Sequence, residues 1–141
     1  TVDISSNNSN GATFAKVGDV ITISVSASEN IQTPTVTIAG NAAAIASGSN
    51  GERVYTATYT MQSSDNTGVI PFTVDFSDMA NNEGTQVTAV ANDSDGGVTF
   101  DKQAPSFTTV TMSSNNSTST LAIVNDVITI NLTSDEAIKA G

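Results

Sequence analysis

The sequence predicts an all-β protein assembled from a repeated unit. Two observations carry this expectation. Apolar residues alternate with Thr and Ser along several stretches, the spacing of a strand with one buried face. The pentapeptide Ser-Ser-Asn-Asn-Ser also occurs twice, at 5–9 and again at 113–117, and self-similarity at a fixed period is the mark of a repeat. No stretch shows a helical period.

The repeat extends beyond the pentapeptide. Residues 1–9 align with 109–117 at an offset of 108, and Asp19-Val20-Ile21-Thr22-Ile23 aligns with Asp126-Val127-Ile128-Thr129-Ile130 at an offset of 107. Glu29 then meets Glu136, and Ile31 meets Ile138. One residue is missing from the polar loop between the two blocks, yet the apolar phase survives. The chain therefore divides into one full unit, 1–108, and the first two strands of a second, 109–141. A unit of about one hundred residues suits an immunoglobulin-like β-sandwich. The expected architecture is a tandem repeat of such sandwiches whose second unit is incomplete.

Each strand has its own justification. Ile21, Ile23, Val25 and Ala27 share one face, with Thr22, Ser24 and Ser26 on the other. Tyr55, Ala57, Tyr59 and Met61 alternate with threonines, and Ile70, Phe72, Val74 and Phe76 alternate with Pro71, Thr73 and Asp75. Shorter strands fit 35–38, 42–46, 87–90 and 98–100. Turn signals at Gly40-Asn41, 47–51, 65–68 and 95–97 separate them. A proline in a central strand loses a ladder bond, so Pro71 belongs near a strand start or beside a bulge. In the second unit Ile128, Ile130 and Leu132 form one apolar stripe. Two strands alone are marginal in water, so the stripe is expected to be buried by residues outside the first unit.

Composition excludes several functions. The 141 residues hold 14 acidic and four basic side chains, a net charge of −10. Lys16, Arg53, Lys102 and Lys139 are widely separated, whereas nucleic acid and anionic lipid both demand clustered cations. With no Cys and no His, thiolate chemistry, His-dependent triads and ordinary structural zinc sites fall away. No apolar run approaches the length of a membrane helix. Aromatics are 5% of the chain, and most sit at inward strand positions, which leaves little to line a sugar-binding cleft for paired carboxylates. The chain is not expected to be an enzyme.

The stretches VGDVITISVSASENIQTPTVTIAG, VYTATYTM, PFTVDFSDMANNEG and VTFDKQAPSFTTV resemble the tandem bacterial Ig-like, cadherin-like repeats of large cell-surface adhesins and fibre proteins. That family ends its second strand in Ser-Glu, here Ser28-Glu29, and carries an Asp-x-x-Gly-Asn turn, here Asp78-Met79-Ala80-Asn81-Asn82. An Asp-x-x-Ala-Pro linker follows, here Asp101-Lys102-Gln103-Ala104-Pro105. Asn81 departs from the pattern where glycine is usual, although asparagine tolerates left-handed backbone. The resemblance implies a structural module at the cell surface or outside the cell, a spacer or stalk whose partners are neighbouring repeats or subunits of the same protein. Two alternatives stand beside it: a filament or surface-layer subunit joined by strand donation, and an adhesion module that binds a ligand through its loops.

Topology gives the carboxylates an address. In such a sandwich the loop carrying Glu29 and the loop carrying Asp78 and Glu83 lie at one end, beside the preceding linker. By the same rule Asp101 approaches Asp135 and Glu136 of the second unit. Grouped carboxylates repel unless neutralised, and calcium takes six to eight oxygen ligands in flexible geometry. Cadherin-type modules clamp their linkers in this way, so the resemblance implies Ca2+ at these six residues. The plain alternative for any one of them is a turn cap. The segment 92–97 looks like a calcium loop but lacks the terminal Glu of an EF-hand, and a bulge is the expected reading. The Asn-x-Ser/Thr matches at Asn7, Asn92, Asn115, Asn116 and Asn131 arise readily in so polar a sequence.

Overall fold

The computed structural model describes residues 1–90 and 97–138. It forms two compact units, Thr1–Lys102 and Gln103–Gly141. The described residues are all-β, with no helix and so none able to cross a membrane. The expected loop at 92–97 lies outside the described residues except for Gly97, as does Lys139.

The first unit contains β1 (Val2–Ser6), β2 (Phe14–Ala15), β3 (Val20–Ser26), β4 (Thr35–Ile38), β5 (Asn41–Ala42), β6 (Ala44–Ser47), β7 (Val54–Thr60), β8 (Gly68–Val69), β9 (Phe72–Asp75) and β10 (Thr99–Phe100). The strands β1-β3-β7-β6 make an antiparallel sheet in that order. A second antiparallel sheet runs β5-β4-β9, and a third runs β2-β10-β8 with its β2–β10 pair parallel. Alternation dictates which face is covered. Ile21, Ile23 and Val25 of β3 are buried while Ser24 and Ser26 are exposed, and Tyr55 and Ala57 of β7 follow suit. Val36 and Ile38 of β4, with Phe72 and Val74 of β9, belong to the same core cluster, so the inner faces of these sheets share one core. Burying each large apolar side chain is worth about 1.5–3 kcal/mol.

Two strands change sheets midway, and sequence explains one of them. Between β8 and β9 the chain passes from the β10 ladder to the β4 ladder, and Pro71 sits in the gap. There the missing N–H costs nothing, while the Pro71 carbonyl accepts Ala39 N–H at 2.8 Å. The expected single strand over 42–46 is likewise two pieces. β5 pairs with β4 and β6 with β7, hinged at Ala43, whose N–H bonds the Val36 carbonyl at 2.9 Å. The expected strand over 87–90 reduces to one bridge, Val87 to Val74.

The second unit is a hairpin of β11 (Phe107–Ser114) and β12 (Ile128–Ser134). Its pairs Val110↔Leu132, Thr111↔Asn131, Met112↔Ile130, Ser113↔Thr129 and Ser114↔Ile128 reproduce the first unit's Val2↔Val25, Asp3↔Ser24, Ile4↔Ile23, Ser5↔Thr22 and Ser6↔Ile21. The sequence repeat is thus a repeat of register, residue for residue.

Candidate functional site

The repeated pentapeptide forms a loop held by its own side chains. In the first unit Asp19 Oδ2 accepts Asn8 Nδ2 at 2.6 Å and Lys16 N–H at 2.9 Å. Asn7 Oδ1 accepts Val20 N–H at 2.8 Å, and Asn8 Oδ1 accepts Asn10 N–H at 2.8 Å. In the second unit Asp126 Oδ2 accepts Asn116 Nδ2 at 2.9 Å and Ile123 N–H at 2.8 Å. Asn115 Oδ1 accepts Val127 N–H at 2.9 Å, and Asn116 Oδ1 accepts Thr118 N–H at 3.0 Å. Short polar side chains offer loop N–H groups the partners that a ladder would otherwise supply. Burial opposes ionisation of Asp19, but the bonds from Asn8 and Lys16 and the Lys16 charge outweigh it and hold its pKa below the usual carboxylate range. Asp126 is lowered by its bonds from Asn116 and Ile123.

The acidic loops expected at one end of the first unit do meet. Ile31 bridges Asp78, and Ser77 bridges Glu83, which joins the loop after β3 to the segment after β9. Gln32 ties them further, with Nε2 donating to the Asp78 carbonyl at 3.0 Å and to Asn81 Oδ1 at 2.7 Å. Glu29, Asp78 and Glu83 all line one cleft of about 490 Å³, together with Val2, Val25, Val74 and Phe76. Asp78 works mainly within its own turn. Its Oδ1 accepts Ala80 and Asn82 N–H, both at 2.8 Å, and its Oδ2 accepts Asn82 Nδ2 at 2.7 Å. These bonds, from Asn82 first, lower its pKa. A carboxylate offers about four lone-pair sites, so three of the four are in use. Asn81, where the resembled turn has glycine, adopts φ 68°, the left-handed backbone that the turn demands.

The remaining expected ligands lie in different units. In the first, Asp101 donates its N–H to the Ala15 carbonyl at 2.9 Å. In the second, Asp135 closes the base of the hairpin: Oδ1 accepts Ser106 N–H at 2.8 Å and Oδ2 accepts Ser106 Oγ at 2.7 Å. These bonds lower its pKa. Glu136 N–H lies 3.4 Å from Ser134 Oγ. Among the described residues no group of three or more acidic side chains gathers closely enough to form a metal-binding set.

Two polar sites escaped sequence reasoning. Asp65 is buried and accepts Gln62 N–H at 2.7 Å, and Asn41 Nδ2 and Tyr59 Oη at 3.2 Å each. Lys102 Nζ caps the same turn, donating to the Ser63 and Asp65 carbonyls at 3.0 and 2.8 Å. The Asn7-Asn8 and Asp19 network was also missed, although its signal was present: both asparagines and the aspartate recur together at the repeat offset. No protein-family model, no curated protein and no solved structure matches the chain.

Proposed function

We propose that the chain is a structural module of a tandem-repeat protein, a spacer or stalk segment of a surface adhesin or fibre that acts outside the cell. The observation that carries this is the duplication of one hairpin down to its cross-strand pairs and loop bonds within 141 residues. A chain selected for one catalytic or binding site has no need of a second copy of its opening strands, whereas a stalk is made by adding units. We read the first unit as an immunoglobulin-like sandwich. Its order β1-β3-β7-β6 corresponds to strands A-B-E-D, and β4, β9 and β10 take the places of C, F and G. Calcium at the linkers belongs to the same proposal, with Asp101, Asp135 and Glu136 as candidate ligands at the joint and Glu29, Asp78 and Glu83 around the cleft.

A series carrying two, three and four copies of residues 1–107 tests the stalk by small-angle scattering. A maximum dimension that grows by a constant step per copy supports it. Copies that collapse to a compact particle overturn it. Scattering repeated with a chelator isolates the calcium part: a stalk that bends only after chelation supports calcium at the joint, and an unchanged profile removes it.

A further inference from the structure

The second hairpin presents a face and an edge that the first hairpin has covered. Val110, Met112, Ile128, Ile130 and Leu132 occupy paired positions on one face, and Thr111, Ser113, Thr129 and Asn131 occupy the other. In the first unit the equivalent apolar face is core. Ile23 is 0% exposed and Ile4 is 9%, against 60% for Ile130 and 73% for Met112. The side chains match in size as well as position. Ile21 and Ile23 recur as Ile128 and Ile130 and Ile4 becomes Met112, changes that a packed core accepts, while Leu132 is one methylene larger than Val25 and asks its neighbours for that much more room.

The edge is matched too. β3 carries β7 along its second edge, with Ile21↔Tyr59, Ile23↔Ala57 and Val25↔Tyr55. β12 pairs with β11 alone among the described strands, and an unpaired edge is a template for another strand. Beyond the strand the likeness continues. Tyr55 Oη lies 2.9 Å from the Ile31 carbonyl, and Ile138 stands at the position of Ile31 by the repeat offset. Ile31 is buried whereas Ile138 is exposed.

From this we infer that the apolar face of β11–β12 and the free edge of β12 form a docking surface for one kind of partner, a polypeptide segment repeating residues 32–102 of this chain. Its counterpart of β7 lies antiparallel along β12, with tyrosines opposite Ile128 and Leu132 and alanine opposite Ile130. The tyrosine opposite Leu132 bonds the Ile138 carbonyl. The occupant is defined by the covered copy of the same surface: small where Ile130 needs room, aromatic on either side, and uncharged across the face. The inference rests on reading the chain as a tandem-repeat module and specifies what completes its second unit.

The test replaces Lys139, Ala140 and Gly141 with the sequence of residues 32–102, which lengthens the chain after Ile138, and follows amide hydrogen exchange at 128–134. Protection at least 100-fold greater than in the unextended chain is expected. It should be lost in the extended chain bearing Ile130→Asp, while residues 1–90 keep their native protection. Exchange in the extended chain no slower than in the unextended one, with residues 1–90 still protected, overturns the inference. Strong protection in the unextended chain together with a doubled sedimentation mass also overturns it, because the occupant is then a second hairpin. Either result leaves the stalk proposal to its own scattering test, and a stalk that fails to lengthen leaves this docking result standing.

Discussion

The hairpins β1–β3 and β11–β12 have the same register and the same loop bonds, but only the first is packed into a core. The difference separates two kinds of information in one sequence. Loop geometry is local: Asn8 and Asp19 are 11 residues apart, Asn116 and Asp126 are 10, and the network closes in both hairpins. It needs no distant strand. Burial is non-local, because Ile23 is covered by strands contributed from residues 35 to 100. The second hairpin carries the local half of that information, and its apolar side chains stay exposed.

The largest expected effect comes from truncating the same side chain in both copies. Ile23→Ala should cost roughly 2–5 kcal/mol through lost burial and the cavity left behind. Ile130→Ala should shift the stability of the first unit by less than about 0.5 kcal/mol, the scale of an ordinary surface change. Denaturant melts of the two variants check this. Equal losses would show that Ile130 is buried in solution and would erase the contrast.

Glycine supplies the next effect, and it acts in the first unit alone. A Cβ at Gly48 would collide with the Tyr55 ring and lie 2.8 Å from the Val54 carbonyl, at φ 101°. Gly48→Ala should therefore destabilise by about 1–3 kcal/mol, from backbone strain together with crowding of a fully buried ring. Denaturant melts read this loss, and amide exchange of β11–β12 in the same variant should be unchanged. A neutral result would mean that the turn before β7 relaxes freely.

The pH response should be shared by both hairpins. Asp19 and Asp126 each have a pKa lowered by folding. A group of this kind contributes stability above its unfolded value, near about 3.9, and that contribution is lost as pH falls through the lower folded value. The side-chain amide resonances of Asn8 and Asn116 should therefore hold steady down to about pH 4 and move only below it. Midpoints at or above the ordinary carboxylate value would contradict the bonding seen here.

Much of this was legible before any coordinates. Alternation placed β3, β4, β7 and β9, because each has one wet face and one dry one. The repeat located β11 and β12 as well, since their Val, Ile and Thr phase copies β1 and β3. The two sheet switches were not legible as such. Pro71 signalled an interruption, but nothing around Ala43 distinguishes a switch from a continuous strand. The meeting of Glu29, Asp78 and Glu83 around one cleft followed from loop topology. What topology could not reveal was how Asp78 spends its oxygens, because that depends on backbone N–H directions within the turn. The Asn and Asp network was visible as letters and invisible as bonds for the same reason.

The smallest expected effect concerns a loop position where a glycine of the first hairpin gives way to asparagine in the second. Gly18 in the first hairpin has φ 91°, and its counterpart in the second, Asn125, has φ 75°. Both lie in the left-handed region, which Gly occupies freely and Asn more readily than other residues with a Cβ. Nothing approaches within 4 Å of a Cβ built on Gly18, so a substitution there meets backbone strain and no clash. Gly18→Ala should cost about 1 kcal/mol, the penalty for forcing an ordinary residue into this backbone. Gly18→Asn should cost less than Gly18→Ala, because asparagine's short polar side chain can hydrogen-bond locally and ease the strain. The second hairpin has already made that exchange. If Gly18→Asn were as damaging as Gly18→Ala in a denaturant melt, the two loops would not be equivalent in backbone energetics, whatever bonds they share.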